Sequence, residues 1–196
     1  GALDDKEIAQ KFSNAILKNS EKLSYLLEDI LNLSTIESGE YNLELSENGV
    51  SDIFKNSINS VLSNNPDVKI INNMSSDVQV ICDIKALSQV IDNLLENSVK
   101  YGISEECNEI IINMKDQGSK VRFEIEDRGQ GIPADQRERV FERFFRIQNN
   151  NTSLKEGTGL GLSIVKNLVN LMGGSVGNEK AYPEGTIFWF TLNKKN

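Results

Sequence analysis

Between Asp4 and Glu37 the chain contains no glycine or proline, and apolar residues return at alternating steps of four and three: Phe12, Ile16, Leu23, Leu26, Ile30 and Leu33, with Asn19 in the same series. This seam predicts one long helix, widened by Ala15, Leu27 and Leu31 and stopped at Gly39. A seam this broad calls for a partner helix. Asn19 within it either sets the register of that pairing or faces solvent at a frayed end.

After Gly39 the pattern changes. Tyr41 to Leu45 alternates as a short strand does, and Val50 to Leu62 reads as an amphipathic helix ended by Asn64, Asn65 and Pro66. Val68 to Ile71 and Val78 to Cys82 read as two strands around a turn near Ser75 and Ser76. Ile84 to Tyr101 is a strongly periodic helix. Glu109 to Met114 and Lys120 to Asp127 predict a hairpin turning near Asp116 to Gly118. Thr158 to Met172 predicts a further helix stopped by Gly173 and Gly174, and Thr186 to Leu192 a last strand. Strands and helices mix without a β-α-β rhythm. That predicts a mixed sheet with helices on one face, not a doubly wound parallel sheet. Gln148 to Glu156 is polar and Asn-rich and reads as a mobile loop.

Composition narrows the chemistry. A formal net charge of −8 argues against a nucleic-acid partner. No run of apolar residues is long enough to span a bilayer, so no membrane contact is expected of this segment. Gly1 to Lys6 lacks the pattern of a signal peptide. Histidine is absent and Cys82 and Cys107 form no C-x-x-C pair, which removes zinc sites, thiol–histidine catalysis and Ser-His-Asp triads. Two free thiols suit a reducing, cytoplasmic compartment. Arg128, Arg137, Arg139, Arg143 and Arg146 fall close together, as either a solvated face or a local anion-binding field.

Four segments carry candidate chemistry. Asn93, Asn97 and Lys100 stand at i, i+4 and i+7, on one face of a helix whose apolar side is Leu87, Ile91, Leu94 and Leu95. Amide oxygens suit Mg²⁺ and an ammonium suits phosphate. In Asp127-Arg-Gly129-Gln-Gly131-Ile132-Pro133, Asp127 shares strand parity with Val121, Phe123 and Ile125. An inward apolar face therefore ends in a carboxylate that needs a donor, such as the amine of adenine. Phe141, Phe144 and Phe145 lie at helical spacing, as core or as a lid anchor, and Arg146 follows them. Gly157-Thr158-Gly159-Leu160-Gly161-Leu162 opens a helix, where free N–H groups cradle phosphate. It is not a P-loop, since the G-x-x-x-x-G-K-[ST] pattern is absent. Each segment alone has an ordinary structural explanation, whether a solvated helix edge, an Asp-x-Gly turn, core aromatics or a glycine-rich turn.

In this order and spacing the four segments resemble the N, G1, F and G2 boxes of the sensor histidine kinases of two-component signalling. Asp83-Ile-Lys-Ala-Leu-Ser-Gln-Val, Gly173-Gly174 and Gly185-Thr186 add to the likeness. Leu23 to Tyr41 resembles the second helix of that family's dimerisation and phosphotransfer hairpin. The resemblance implies an α+β fold: a two-layer α/β sandwich with the Bergerat-type ATP site, preceded by one long α-helix. It also implies a division into residues 1–40 and 41–196. Asn97 would ligand Mg²⁺, Asn93 and Lys100 would meet the phosphates of ATP, and Tyr101 would line the pocket. Asp127 would bind the adenine amine between Gly129, Gly131 and Ile132, and Phe141 would border the site. Arg146 would reach the γ-phosphate, and Gly157, Thr158, Gly159, Leu160, Gly161 and Leu162 would form hinge and cradle. The implied partners are a histidine-bearing phosphotransfer helix, homodimeric in the intact kinase, and a response regulator. The resemblance implies a cytoplasmic place for this segment, whether or not the parent protein is anchored to a membrane.

The departure is the acceptor. The family's hairpin carries a histidine in its first helix, and this sequence contains none. A chain cut at the hairpin turn is the expected explanation, with natural loss of the acceptor as the other. The same superfamily includes ATPases such as gyrase, the Hsp90 chaperones and MutL. Those place a glutamate where this chain has Asn93, and an amide is no base for activating water. A nucleotide-binding module without catalysis is the remaining reading.

Overall fold

The computed structural model describes residues 6–74, 77–103, 107–147 and 157–195. The chain divides into two compact units, residues 1–41 and 42–196. In the first unit the long helix α1 (Lys6–Glu37) continues unbroken, because nothing in its sequence interrupts the backbone ladder. It ends in a glycine at positive φ, Gly39 at 74°.

The second unit is an α+β sandwich. Strands β2 (Lys69–Asn72), β4 (Glu109–Asp116), β5 (Lys120–Glu126), β6 (Ser175–Lys180) and β7 (Thr186–Asn193) form one sheet in the order β2-β4-β5-β7-β6. β2 runs parallel to β4 and the other pairs are antiparallel, so the sheet is mixed, as expected. Two further strands, β1 (Ser46–Gly49) and β3 (Gln79–Cys82), pair with each other, and Val80 bridges to Lys194 beyond β7. Helices α2 (Ser51–Asn64), α3 (Ile84–Gly102) and α4 (Gly161–Leu171) complete the unit.

Strand alternation builds the core. Val121, Phe123 and Ile125 of β5 are buried together with Phe188 and Phe190 of β7 and Ile110 and Ile112 of β4. Phe123 stacks on Phe190 at 5.1 Å and meets Phe54 of α2 at 5.4 Å. From α3, Leu87, Ile91, Leu94 and Leu95 are wholly buried, and from α4 so are Ile164, Val165 and Leu168. The alternate residues of β5 face the other way. There Glu124 is 3% exposed and held by Arg122 and Lys115, each at 2.8 Å, while Arg122 lies over Trp189.

Several local expectations are corrected. Tyr41 to Leu45 is not a strand, since the pairing residues are Ser46–Gly49. β2 and β3 do not pair with each other: β2 pairs with β4, Lys69 opposite Glu109, and β3 with β1, Cys82 opposite Ser46. The expected turn residues Ser75 and Ser76 lie outside the described residues. α4 starts at Gly161, three residues later than Thr158, so the glycine-rich segment is loop before it is helix. β6 was not anticipated, because Ser175-Val-Gly-Asn-Glu-Lys180 has one apolar side chain and is an edge strand. The spacing of Phe141, Phe144 and Phe145 is not a helix: a single 3-10 turn, Arg139–Phe141, is followed by turns.

Candidate nucleotide site

The site is built outward from α3. Asp83 caps that helix, its Oδ1 accepting from the Ala86 N–H at 2.9 Å while its Oδ2 accepts from the Glu44 N–H at 2.9 Å. With the apolar stripe of α3 buried, Asn93, Asn97 and Lys100 fall on the adjacent edge, each half-buried. Asn93 donates to the carbonyl of Gln89 at 2.9 Å, which turns its Oδ1 outward. Asn97 makes no side-chain hydrogen bond among the described residues.

The glycine-rich loop lies against this edge. A Cβ built on Gly161 would stand 2.5 Å from Asn93 Oδ1. One built on Gly157 would stand 2.6 Å from Lys100 Nζ and 3.2 Å from the Tyr101 hydroxyl. One amide thus meets the start of α4, where backbone N–H groups are unpaired, and an ammonium and a phenol meet the loop before it. Thr158 Oγ1 accepts from the Leu160 N–H at 3.1 Å, and Leu160 is wholly buried, anchoring the loop. Leu162 is half-buried in the first turn of α4.

Asp127 closes the other end. It follows β5 and is 4% exposed. Its backbone N–H donates to Thr186 at 2.9 Å, continuing the β5–β7 ladder. Its Oδ1 accepts from the N–H groups of Gly129 at 2.9 Å and Thr186 at 3.2 Å. No protein donor reaches Oδ2 among the described residues. The carboxyl packs against Gly102, where a Cβ would overlap it. Burial pushes the Asp127 carboxyl above its ordinary range, and the two N–H groups offset part of that rise. Gly129 lies against the backbone of Tyr101 and Gly102, Gly131 faces the Gly185 carbonyl, and Ile132 beside it is half-buried. Arg128 bonds the Tyr182 carbonyl at 2.7 Å and pairs with Glu126 at 2.6 Å, tying this wall to the β6–β7 turn.

The aromatic segment joins from the side. Phe141 is 8% exposed and meets Phe188 edge-on at 6.4 Å. Phe144 is 64% exposed, at φ 58°, and its N–H donates to the Gly159 carbonyl at 3.0 Å. Gly159, at φ 74°, touches Phe144 so closely that a side chain there would collide with its backbone. Arg146 is exposed, two residues before position 148. The expected mobile loop, Gln148 to Glu156, lies outside the described residues.

The site therefore brings together the α3 edge, the Asp127 wall and the glycine-rich loop. Two contributors were not singled out from the residues: Gly102, against which the Asp127 carboxyl packs, and the Thr186 N–H that supports Asp127. Their roles come from contacts between distant segments, which no local pattern announces. A cavity of about 360 Å³ between α2 and α3 is walled by Asp92 and Glu96 with Asn64 and Asn65. Two carboxylates and no cationic side chain make it unsuited to phosphate.

Residues 82–196 match the family of histidine kinase-, DNA gyrase B- and HSP90-like ATPases. The chain belongs to this family. The sensory/regulatory protein RpfC of Xanthomonas campestris is 32% identical over 189 residues, which are 91% of this chain and 26% of that protein. The sensor histidine kinase WalK of Bacillus subtilis is 29% identical over 197 residues, 100% of this chain and 32% of that protein. The chain thus spans about a quarter to a third of the length of these curated relatives. Among solved structures, full-length ShkA in complex with AMPPNP superposes with a TM-score of 0.78 at 26% identity, over 95% of this chain and 39% of that one. The mycobacterial sensor histidine kinase MprB gives 0.68 at 27% identity, over 77% of this chain and 98% of that one. The α+β sandwich with its mixed five-stranded sheet is the fold of this ATPase family.

Proposed function

We propose that this chain is the ATP-binding catalytic part of a sensor histidine kinase, which transfers the γ-phosphate of Mg-ATP to a histidine on a separate phosphotransfer helix. The observation that carries the nucleotide reading is Asp127: a buried carboxylate whose Oδ1 holds two backbone donors while Oδ2 has none among the described residues. Oδ2 is not sealed in the core, so it stays open to a ligand, and an aminopurine supplies an N–H to it.

The donor set fits Mg²⁺. Asn97 offers a hard amide oxygen with no competing side-chain bond among the described residues, and Mg²⁺ takes few protein ligands because phosphates and water supply the rest. When bound, the ion neutralises phosphate charge. Lys100 then meets a phosphate beside Gly157, Asn93 orients it against the start of α4, and Tyr101 borders the pocket. Arg146 adds a guanidinium for the γ-phosphate. Catalysis on this reading is positioning and charge neutralisation. The bond from the γ-phosphorus to the bridging oxygen breaks, an N–P bond to an imidazole forms, and ADP leaves. The acceptor lies outside these 196 residues, which contain no histidine. Hydrolysis is slow, because Asn93 stands where a base for water would be needed. Dimerisation through the hairpin and a response regulator as the next acceptor follow from the same reading.

The test uses γ-labelled ATP, Mg²⁺, this chain and a separately made histidine-bearing hairpin from a related kinase. Acid-labile label on the hairpin, lost with Asn97→Ala, supports the kinase. Free phosphate without labelled protein would replace it with an ATPase.

A further inference from the structure

Asp127 keeps its place through the first residue of β7. Thr186 accepts from the Asp127 N–H at 2.9 Å and donates its own N–H to Oδ1 at 3.2 Å. That residue stands at the end of a ladder, where strands open most easily. The turn leading into it, residues 181–185, comes from β6, the edge strand of the sheet, and Tyr182, Pro183 and Glu184 in it are exposed. The Ala181 N–H closes the turn by donating to the Gly185 carbonyl at 3.1 Å. Among the described residues, one side chain bonds this turn from outside it: Arg128, whose Nη1 donates to the Tyr182 carbonyl at 2.7 Å. The same nitrogen pairs with Glu126 at 2.6 Å, and the two side chains are 27% and 15% exposed. Glu126 has the opposite parity to Asp127 along β5, so the pair lies on the other side of the strand from the site. The backbones of the two turns also touch. Gly185, at φ 119°, packs on the Asp127 carbonyl and the Arg128 Cα, and Gly131 faces the Gly185 carbonyl. A guanidinium bonds more strongly than a neutral donor, and its planar fork fixes direction as well as distance.

We infer that Arg128 is a positioning residue of the nucleotide site: from behind the wall it latches the β6–β7 turn onto the Asp127–Gly131 turn, and so holds the Asp127 carboxylate where a base amine meets it. The inference rests on the nucleotide reading above. Arg128 does not touch the nucleotide. It fixes Tyr182, the turn carries that constraint to Thr186, and the Thr186 N–H orients Oδ1, which leaves Oδ2 aimed at the ligand. Its effect is therefore specific to the part of the ligand that Asp127 reads.

The test is calorimetric titration of the full chain with ATP and with purine riboside triphosphate, which lacks the exocyclic amine, for the wild type, Arg128→Ala and Arg128→Lys. Amide hydrogen exchange of each free protein runs beside it. Arg128→Ala is expected to lose ATP affinity by roughly three- to ten-fold, the worth of one hydrogen bond, and to bind the analogue about as the wild type does. Exchange at the Ala181 and Thr186 amides is expected to quicken, with exchange inside β5 unchanged. Arg128→Lys keeps the charge but replaces the fork by a point donor, and is expected to show the same selective loss at smaller size. Unchanged ATP affinity, equal losses for both nucleotides, or unchanged exchange at those two amides would overturn the inference and leave the nucleotide reading standing. Full recovery by lysine would make the effect one of charge and overturn the latch. A wild type that binds ATP no more tightly than the analogue would remove the amine contact of Asp127, and this inference with it.

Discussion

Asp127 is the residue on which the pH behaviour of the site turns. Its carboxyl titrates above the ordinary value of 3.8 because it is buried. Between that value and the raised one the folded protein holds a proton that the unfolded chain has lost. The stability it contributes is therefore present below the ordinary value and is lost as pH rises through the raised one. A base amine bonds the ionised form, so ATP affinity is expected to rise with pH through the raised value and then level off. Proton release on binding, measured by titration in buffers of different ionisation heat, checks this. Asp127→Asn is expected to flatten the dependence and to weaken ATP roughly ten- to a hundred-fold at neutral pH, as for a hydrogen bond to a charged group. Equal losses in binding and melting temperature would instead make it a structural aspartate. Asn97 gives a cleaner separation. Asn97→Ala is expected to weaken ATP about ten-fold or more with Mg²⁺ and to match the wild type in EDTA, with little change in melting temperature. Affinity unchanged in Mg²⁺ would remove its metal role. These candidates were legible because residue type and parity were enough: two amides and an ammonium at helical spacing, a carboxylate at the end of an apolar strand. Thr186 and Gly102, which hold Asp127 in place, were not, since each meets it from far along the chain.

At the scale of elements, α3 carries the site and Asp83 begins it. Burial raises the Asp83 carboxyl, but the N–H groups of Ala86, Glu44 and Lys85 outweigh that, so its pKa is lowered overall. Its stabilisation is therefore present above the ordinary value of 3.8 and is lost as pH falls through the depressed one. Asp83→Ala is expected to cost about 1 kcal/mol, as loss of an N-cap does, read as a lower urea midpoint with an unchanged slope. A loss confined to low pH would contradict the cap. Long periodic elements such as α1 and α3 were readable because burial along one face leaves a period in the sequence. β1 and β6 were not. Each is short and polar, and each exists because a neighbour supplies the ladder: β3 for β1, β7 for β6. The start of α4 was set in the same way, by packing of the preceding loop on Asn93, Lys100 and Phe144.

At the scale of the whole molecule, α1 exposes Phe12, Ile16, Leu17, Leu23, Leu27 and Leu31, each more than half accessible. An unpartnered seam of this size predicts concentration-dependent self-association, and residues 42–196 prepared alone are expected to remain monomeric, to melt cooperatively and to keep ATP binding. Sedimentation at increasing concentration checks both chains; a strict monomer for the full chain would count against an open seam. Among the described residues no helix is long and apolar enough to cross a membrane. What the sequence by itself determined was the set of long elements, the sidedness of the β5 strand and the chemistry on offer. Each of these is written in residue type and period, which a single segment carries alone. What only the tertiary structure decided was the strand order, the parallel pairing of β2 with β4, the loop-to-helix boundary at Gly161, and the meeting of Asp127 with Gly102 and Thr186. Those depend on which segments, distant along the chain, bury each other's surfaces, and a pairing of two segments leaves no signature in either one.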